Sequence, residues 1–481
     1  MTETGPLDLL LRSGTVIDGT GAPPFRADVG LRAGRIAYLG QGEPPAARAS
    51  IDVGGLVVAP GFIDSHAHDD RAVLAQPELA PKVSQGVTTV INGNCGNSLA
   101  PYPIGQVPPL PLREVEGQWQ FASFPDYLDA LQRQPAAVNV GALVGHTSLR
   151  VRHVDDLSRP ARSGEVAAMR AAVREALQAG ALGLSSGTFY PPAAAAPARE
   201  LVQVGADLKD HGGVYATHLR DEGDAVLEAI DEAATVAKAL GVPLVISHHK
   251  VMGVRNFGRT EQTLRRIALL RELQPVCMDC YPYTASSSLL RPERLALSEE
   301  IIVTGSRSTP EAAGRSVTQL AADWDCSREE ALRRAMPGTG MYFMMHEDDV
   351  RRVLAEPTTM IGSDGISSDT YPHPRLWGTF ARVLGRYGRD EGLFSLDAAV
   401  HKMTGLTARA FGLKHRGELK PGYAADLAVF DPSTIVDRAT YEQPRLACDG
   451  MQMVFVNGTC VWREGRSTGA LPGQCLRRLA S

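Results

Sequence analysis

Two histidines one residue apart, His66 and His68, close the apolar stretch APGFIDSHAHDD. On a β-strand, side chains two apart share a face, so both imidazoles converge on one point, as metal ligands do. Similar residues end other apolar runs: Cys95 in VTTVINGNCG, His218 in GGVYATHLRD, His248 in PLVISHHK and Asp364 in TTMIGSDG. A lone imidazole at a strand end is usually a hydrogen-bonded structural residue, but six ligand-type residues in one register predict a metal site. Imidazole, thiolate and carboxylate together suit Zn2+, which takes nitrogen and sulfur ligands without redox chemistry. Zinc lowers the pKa of bound water from about 15.7 to about 7. Asp364 is then the natural general base, able to take the proton of water and return it to a leaving nitrogen. Its neighbours Gly362 and Gly365 suit a tight turn there.

The elements that must position these residues are legible as a repeat. Eight short apolar runs, from GFIDSHAH to TTMIGSDG, alternate with helical stretches such as RSGEVAAMRAAVREALQAG and DAVLEAIDEAATVAKALG. Alternating strand and helix signals imply a parallel sheet, and eight units fit an α/β fold of the (β/α)8 TIM type. Barrel enzymes work at the C-terminal ends of their strands, where all six residues fall. Both chain ends read instead as short strands broken by turns, predicting a small β-sandwich domain built from residues 1–60 and 412–481 around a barrel of residues 61–411. The gap before the eighth run is too long for one strand-helix unit. Its segments TQLAADWDCSREEALRRAM and HEDDVRRVLAE predict an inserted lid or subdomain at about 286–350.

Composition excludes several classes. Hydrophobic residues are 44% and charged residues 21% of 481, an ordinary globular balance. The net charge of −5 comes with scattered Lys and Arg, which leaves no electrostatic footprint for nucleic acid and favours a small-molecule partner. No apolar run is long enough to span a bilayer, and the N-terminus lacks the pattern of a signal peptide, so a cytoplasmic protein with no membrane partner is expected. Seven irregularly spaced cysteines argue against a disulfide framework, and Cys277 and Cys280 read as ordinary buried thiols.

The motifs GFIDSHAHDD, NGNCGNSLAP, THLRDEG, SHHK and IGSDG, with the tail GELKPGYAADLAVFDP, resemble the amidohydrolase superfamily, and within it the D-aminoacylase family of N-acyl-D-amino-acid deacylases. Many dinuclear members of that superfamily carry a carboxylated lysine at the end of strand four. Here SSGTFYPP stands in its place, and the resemblance implies that Cys95 supplies the anionic ligand instead. It further implies a tight Zn2+ on Cys95, His218 and His248, with a second, weaker position near His66, His68 and Asp364. The implied reaction is hydrolysis of the amide of an N-acyl-D-amino acid. Arg375, on the loop after strand eight, would pair with the substrate carboxylate, which matches a guanidinium fork. Tyr281 and Ser287 would donate hydroxyl hydrogen bonds, with Tyr283, Ser286 and Ser288 as neighbouring alternatives. Lys250, His249 and His146 are candidates for shaping the pocket; His346 and His373 carry no assignment. A cyclic-amide hydrolase of the hydantoinase or dihydroorotase kind is the alternative within enzymes, and a non-catalytic scaffold the alternative outside them.

Overall fold

A computed structural model of the chain describes residues 5–102 and 120–478, together with positions 105, 109 and 112. The chain opens with β1 (Leu9–Val16), β2 (Phe25–Arg32), β3 (Arg35–Gly40), β4 (Ser50–Asp52) and β5 (Val57–Pro60). Next come β6 (Phe62–Asp64), β7 (Val87–Asn92), β8 (Asn139–Ala142), β9 (Val144–Gly145), β10 (Gly183–Gly187), β11 (Val214–His218), β12 (Leu244–Ile246) and β13 (Val276–Cys280). An insertion carries β14 (Ala285–Leu289), β15 (Ile301–Ser306) and β16 (Gly338–Phe343) ahead of β17 (Thr359–Ile361). The chain ends with β18 (Leu427–Phe430), β19 (Met451–Val456), β20 (Thr459–Arg463), β21 (Arg466–Ser467) and β22 (Cys475–Leu476).

The fold is α/β and TIM-barrel-like. Strands β6, β7 and β8 pair in parallel, β9 continues β8 after one residue, and β9 to β13 and β17 pair in parallel in turn. Backbone contacts also join β17 to β6: Ser65 N–H donates to Ile361 O at 3.3 Å and Asp364 N–H to His66 O at 2.8 Å. Strands β7, β10 and β11 are buried along their whole length, as expected where helices cover a parallel sheet. The covering helices follow the sequence pattern. Ser163–Ala179 buries Met169, Val173, Ala176 and Leu177, and stops at Gly180, whose φ of 107° only glycine adopts freely.

Both chain ends build one nine-stranded sheet, in the order β21-β20-β19-β18-β5-β1-β2-β3 with β4 on β1. The final strand, β22, leaves this sheet and pairs in parallel with β8. Strand β5 passes directly into β6 at Gly61, where a Cβ would lie 2.2 Å from Thr88. The terminal sheet therefore leads without an intervening loop into the parallel strand that precedes His66 and His68.

The insertion forms a three-stranded antiparallel sheet, β14-β16-β15, with its own core of Leu290, Ile301, Val303, Leu320, Leu332 and Tyr342. The helix Glu347–Ala355, which the sequence placed in the insertion, buries Val350, Val353 and Leu354 in the main core instead. Among the described residues no helix is long and apolar enough to cross a membrane.

A buried ionic knot pins β6 to β17. Lys82 Nζ lies 2.7 Å from Asp64 Oδ2, 3.1 Å from Asp69 Oδ2 and 2.7 Å from Ser363 Oγ, all fully out of solvent. Asp64 also accepts from the backbone N–H groups of His66 at 3.2 Å and Ser363 at 2.8 Å. Lys82→Met should cost about 3–5 kcal/mol, because it strands two buried carboxylates. Urea unfolding measures this; a loss under about 1 kcal/mol would mean that the knot does not hold β6 to β17.

Candidate metal centre and substrate cleft

The six residues singled out by type and register converge. Cys95 Sγ lies 3.2 Å from His66 Nε2, 3.2 Å from His248 Nε2 and 3.7 Å from His218 Nδ1. His68 Nε2 is 3.2 Å from Asp364 Oδ1, and His66 Nε2 is 3.7 Å from the same oxygen. Three overlapping trios, Cys95 with His218 and His248, Cys95 with His66 and His68, and His66 with His248 and Asp364, each bring their ligand atoms within 4.8 Å. A tetrahedral zinc with bonds of about 2.0 Å to nitrogen and 2.3 Å to sulfur sets those donors about 3.5 Å apart, which the sulfur–nitrogen distances match.

The backbone is bent to make this cluster. Cys95, His248 and Asp364 have φ of 54°, 36° and 49°, in the left-handed region that side chains other than glycine rarely occupy. Each is held by its surroundings. The His248 N–H donates to Asp279 Oδ1 at 2.9 Å, that of Gly96 to Ser185 Oγ at 2.9 Å, and that of Asp364 to His66 O. Strain of this kind, roughly 1–3 kcal/mol per residue, collects at functional sites. The tight turn is thus made by Asp364 itself. Gly362 and Gly365 are needed for close approach instead: a Cβ would lie 2.5 Å from His66 Cβ at the first and 2.7 Å from Leu376 Cδ1 at the second. At the end of β10, Gly187 leaves room for the Cys95 carbonyl, which a Cβ would meet at 2.3 Å. A small residue on strand four thus admits the loop that carries the sulfur.

Glu222 lies behind the ligands, buried, in the motif THLRDEG. Its carboxylate is 3.0 Å from His248 Nδ1, 3.5 Å from His218 Nε2 and 2.7 Å from Lys250 Nζ. His248 Nδ1 is also 2.9 Å from Lys250 Nζ, an ammonium that only donates, while its Nε2 faces the cluster. Asp279 lies beside His66 in a similar way, with Oδ1 3.3 Å from His66 Nδ1. Neither carboxylate was found from the sequence: Glu222 sits in the loop after β11 and Asp279 within β13, neither at a strand end. The signal for Glu222 was its place four residues after His218.

Burial pushes the imidazoles of His218 and His248 well below their usual values, leaving them neutral. Burial, reinforced by Asp364, pushes the Cys95 thiol well above its usual value. Burial alone would raise the Asp364 carboxyl, but Arg375 and the nearby imidazoles hold it well below the usual carboxylate range.

A cavity lined by His68, Leu99, Tyr190, Ser287, Leu289 and Asp364 among others opens onto the cluster. A smaller one shares Tyr190, Ser287 and Asp364 with it and reaches His218, His248, Lys250, Tyr281 and Arg294. Arg375 does not lie on a loop. It opens the helix Arg375–Arg382, is fully buried, and its Nη1 is 2.8 Å from Asp364 Oδ2. That pair is not aligned as a hydrogen bond, and Arg375 Nε and Nη1, Tyr281 Oη, Ser286 Oγ and Ser287 Oγ are all buried without a hydrogen-bond partner. Tyr281 stacks on Arg375, ring centre to guanidinium 4.5 Å. Unsatisfied buried donors gathered in one place call for an acceptor, and a carboxylate supplies one. His146 faces away and pairs with Glu200 at 3.1 Å. His249 bonds Thr263 at 2.8 Å, and His346 is half exposed at the start of the helix Glu347–Ala355.

The amidohydrolase family profile matches residues 49–287 and 314–462. A D-aminoacylase of Alcaligenes xylosoxydans xylosoxydans is 50% identical over 481 residues, covering 100% of this chain and 99% of the relative. An N-acyl-D-aspartate deacylase of the same organism is 48% identical over 472 residues, covering 98% and 95%. A crystal structure of N-acyl-D-glutamate deacylase from Bordetella bronchiseptica, complexed with zinc and a phosphonate mimic of the tetrahedral intermediate, matches with a TM-score of 0.95 at 43% identity, covering 98% of this chain and 100% of that one.

The raised Cys95 thiol has a consequence for metal uptake. Below its pKa the sulfur must shed a proton to bind zinc, so affinity should rise with pH, about tenfold per unit for one proton released. Competition against a chelator at several pH values checks this. A flat profile would mean that Cys95 is not a ligand.

Proposed function

The chain belongs to the amidohydrolase family, and from that premise we propose that it is a zinc-dependent hydrolase cleaving the N-acyl bond of N-acyl-D-amino acids to a carboxylate and a free D-amino acid. The observation that carries the reading is Cys95, His218 and His248 gathered at one point, with Asp364 facing them across the cleft. When bound there, zinc supplies a more acidic water and a positive charge beside the scissile carbonyl. His66, His68 and Asp364 would provide a second, weaker position.

Asp364, ionised at neutral pH, stands ready to take a proton from water and pass it to the leaving nitrogen, which an amine needs in order to depart. Lys250 and Tyr190 line the cleft beside the ligands and offer N–H and O–H donors to the developing oxyanion. Arg375 takes the substrate carboxylate with Tyr281 and Ser287, whose donors otherwise go unused. A neutral cyclic amide such as a hydantoin brings no carboxylate to them, which favours linear substrates over the cyclic alternative. A scaffold would have no use for the cluster at all.

Arg294 points to the side chain. It is buried, lines the smaller cavity, stacks on Phe189 at 4.8 Å and Tyr342 at 5.1 Å, and its Nη1 has no hydrogen-bond partner. A buried cation so placed favours an acidic D-amino acid.

The finer architecture belongs to the same reading: a (β/α)8 barrel at 61–411, a lid near 286–350, and a β-sandwich of 1–60 and 412–481. The cytoplasm suits seven cysteines that form no disulfide. No nucleic acid or membrane partner is invoked.

Two substitutions test the site. Asp364→Ala should keep one zinc per chain yet lose about 10²–10⁴-fold in turnover, and unchanged turnover would remove it from proton transfer. Arg294→Leu should shift kcat/KM from N-acetyl-D-glutamate toward N-acetyl-D-methionine by about tenfold or more, with the L forms inert throughout. An unchanged ratio would end the acidic assignment.

A further inference from the structure

We propose that His373 is a positioning residue that sets the width of the carboxylate cradle, by tying the backbone of Arg375 to the strand that carries Ser286 and Ser287. This rests on the reading that Arg375 and Ser287 hold the substrate carboxylate. His373 is 3% exposed. Its Nδ1 accepts from the Arg375 N–H at 3.0 Å, and its Nε2 lies 3.0 Å from the carbonyl oxygen of Ala285. A carbonyl oxygen only accepts, so Nε2 carries the proton and Nδ1 is bare. One neutral ring is thus satisfied at both ends by backbone groups of two separate elements.

Those elements come from different parts of the chain. Ala285 is the first residue of β14, in the insertion; Arg375 is the first residue of a helix that follows β17. The helix is also tied to the segment just before β14, where Arg382 Nε donates to the Pro282 carbonyl at 2.9 Å and the Tyr283 hydroxyl to the Pro374 carbonyl at 3.5 Å; the imidazole extends that link to β14 itself. The ring is fixed in turn by Tyr283 at 5.2 Å and Tyr441 at 5.4 Å, both edge-on, with Tyr281 at 6.4 Å. Tyr441 reaches in from beyond β18, so the C-terminal part of the chain braces this contact. A serine or aspartate at this position could also accept from the N–H two residues on. Only a side chain with a second polar end can hold the helix to β14 as well.

Isosteres separate the two ends. Asn places an acceptor where Nδ1 stands, and Gln places a donor where Nε2 stands. The experiment compares His373→Ala, His373→Asn and His373→Gln in the zinc-loaded full chain, measuring KM and kcat for an N-acetyl-D-amino acid and for its methyl ester, together with zinc content and Tm. Arg375→Ala is run in parallel. His373→Ala should raise KM for the acid about tenfold, with kcat within about twofold and kcat/KM for the ester unchanged. His373→Gln should recover most of that KM and His373→Asn little, because the tether to Ala285 is what registers β14. Should His373→Ala not fold, the comparison of Gln with Asn decides alone. Equal losses on acid and ester, or equal behaviour of Asn and Gln, would overturn the proposal. If Arg375→Ala leaves the preference for acid over ester intact, the cradle itself is wrong and the proposal falls with it. If Arg375→Ala abolishes that preference while the His373 variants keep a normal KM, only the positioning role is lost.

Discussion

A sulfur atom with three imidazole nitrogens within 3.7 Å, all out of water, is a concentration of electron pairs that no hydrophobic core would assemble for its own sake. Burial raises the Cys95 thiol and lowers the two imidazoles beside it, so each group is held in the neutral form least costly to bury. A divalent cation relieves that arrangement, and much of the surrounding structure maintains it. Cys95, His248 and Asp364 sit at left-handed φ, and backbone and side-chain contacts from neighbouring segments hold them there.

The same need explains the charged residues buried below the rim. Lys82 with Asp64, Asp69 and Ser363 ties the strand carrying His66 and His68 to the turn carrying Asp364. Glu222, from the loop after β11, and Asp279, on β13, lie beside the imidazoles of His248 and His66. Buried charge is expensive, and the buried ammonium groups of Lys82 and Lys250 each lie against carboxylates, as burial requires.

On the open side the unpartnered groups are hydroxyls and guanidinium N–H groups. Arg375, Tyr281, Ser286, Ser287 and Arg294 all present polar atoms that find no hydrogen-bond partner. The contrast divides the site into a part dense in electron pairs and a part dense in unpartnered donors. The insertion brings the serines and Arg294, and the segment after β17 brings Arg375, so those donors are divided between separate pieces of chain.

How much of this was legible follows from how far each feature depends on local pattern. The period of strands and helices, the six ligand-type residues at strand ends and the unusual absence of lysine from SSGTFYPP are all written locally. A strand's direction fixes which end its last residue occupies, so a shared register was readable before any coordinates. The β character of both termini was equally plain, from turns and alternation. What tertiary structure decided is everything that needs two distant segments to be measured against each other. Gly61, Gly187, Gly362 and Gly365 owe their identity to atoms elsewhere in the chain that would strike a Cβ. Arg375 read as a loop residue because its helix starts behind a proline, and His373 was unassigned because its two partners lie 88 positions apart at one end and two at the other. Glu222, Asp279 and Lys82 look like ordinary surface charges in a one-dimensional string. Only folding puts them out of water, and only there does a carboxylate or an ammonium have to be answered by a partner.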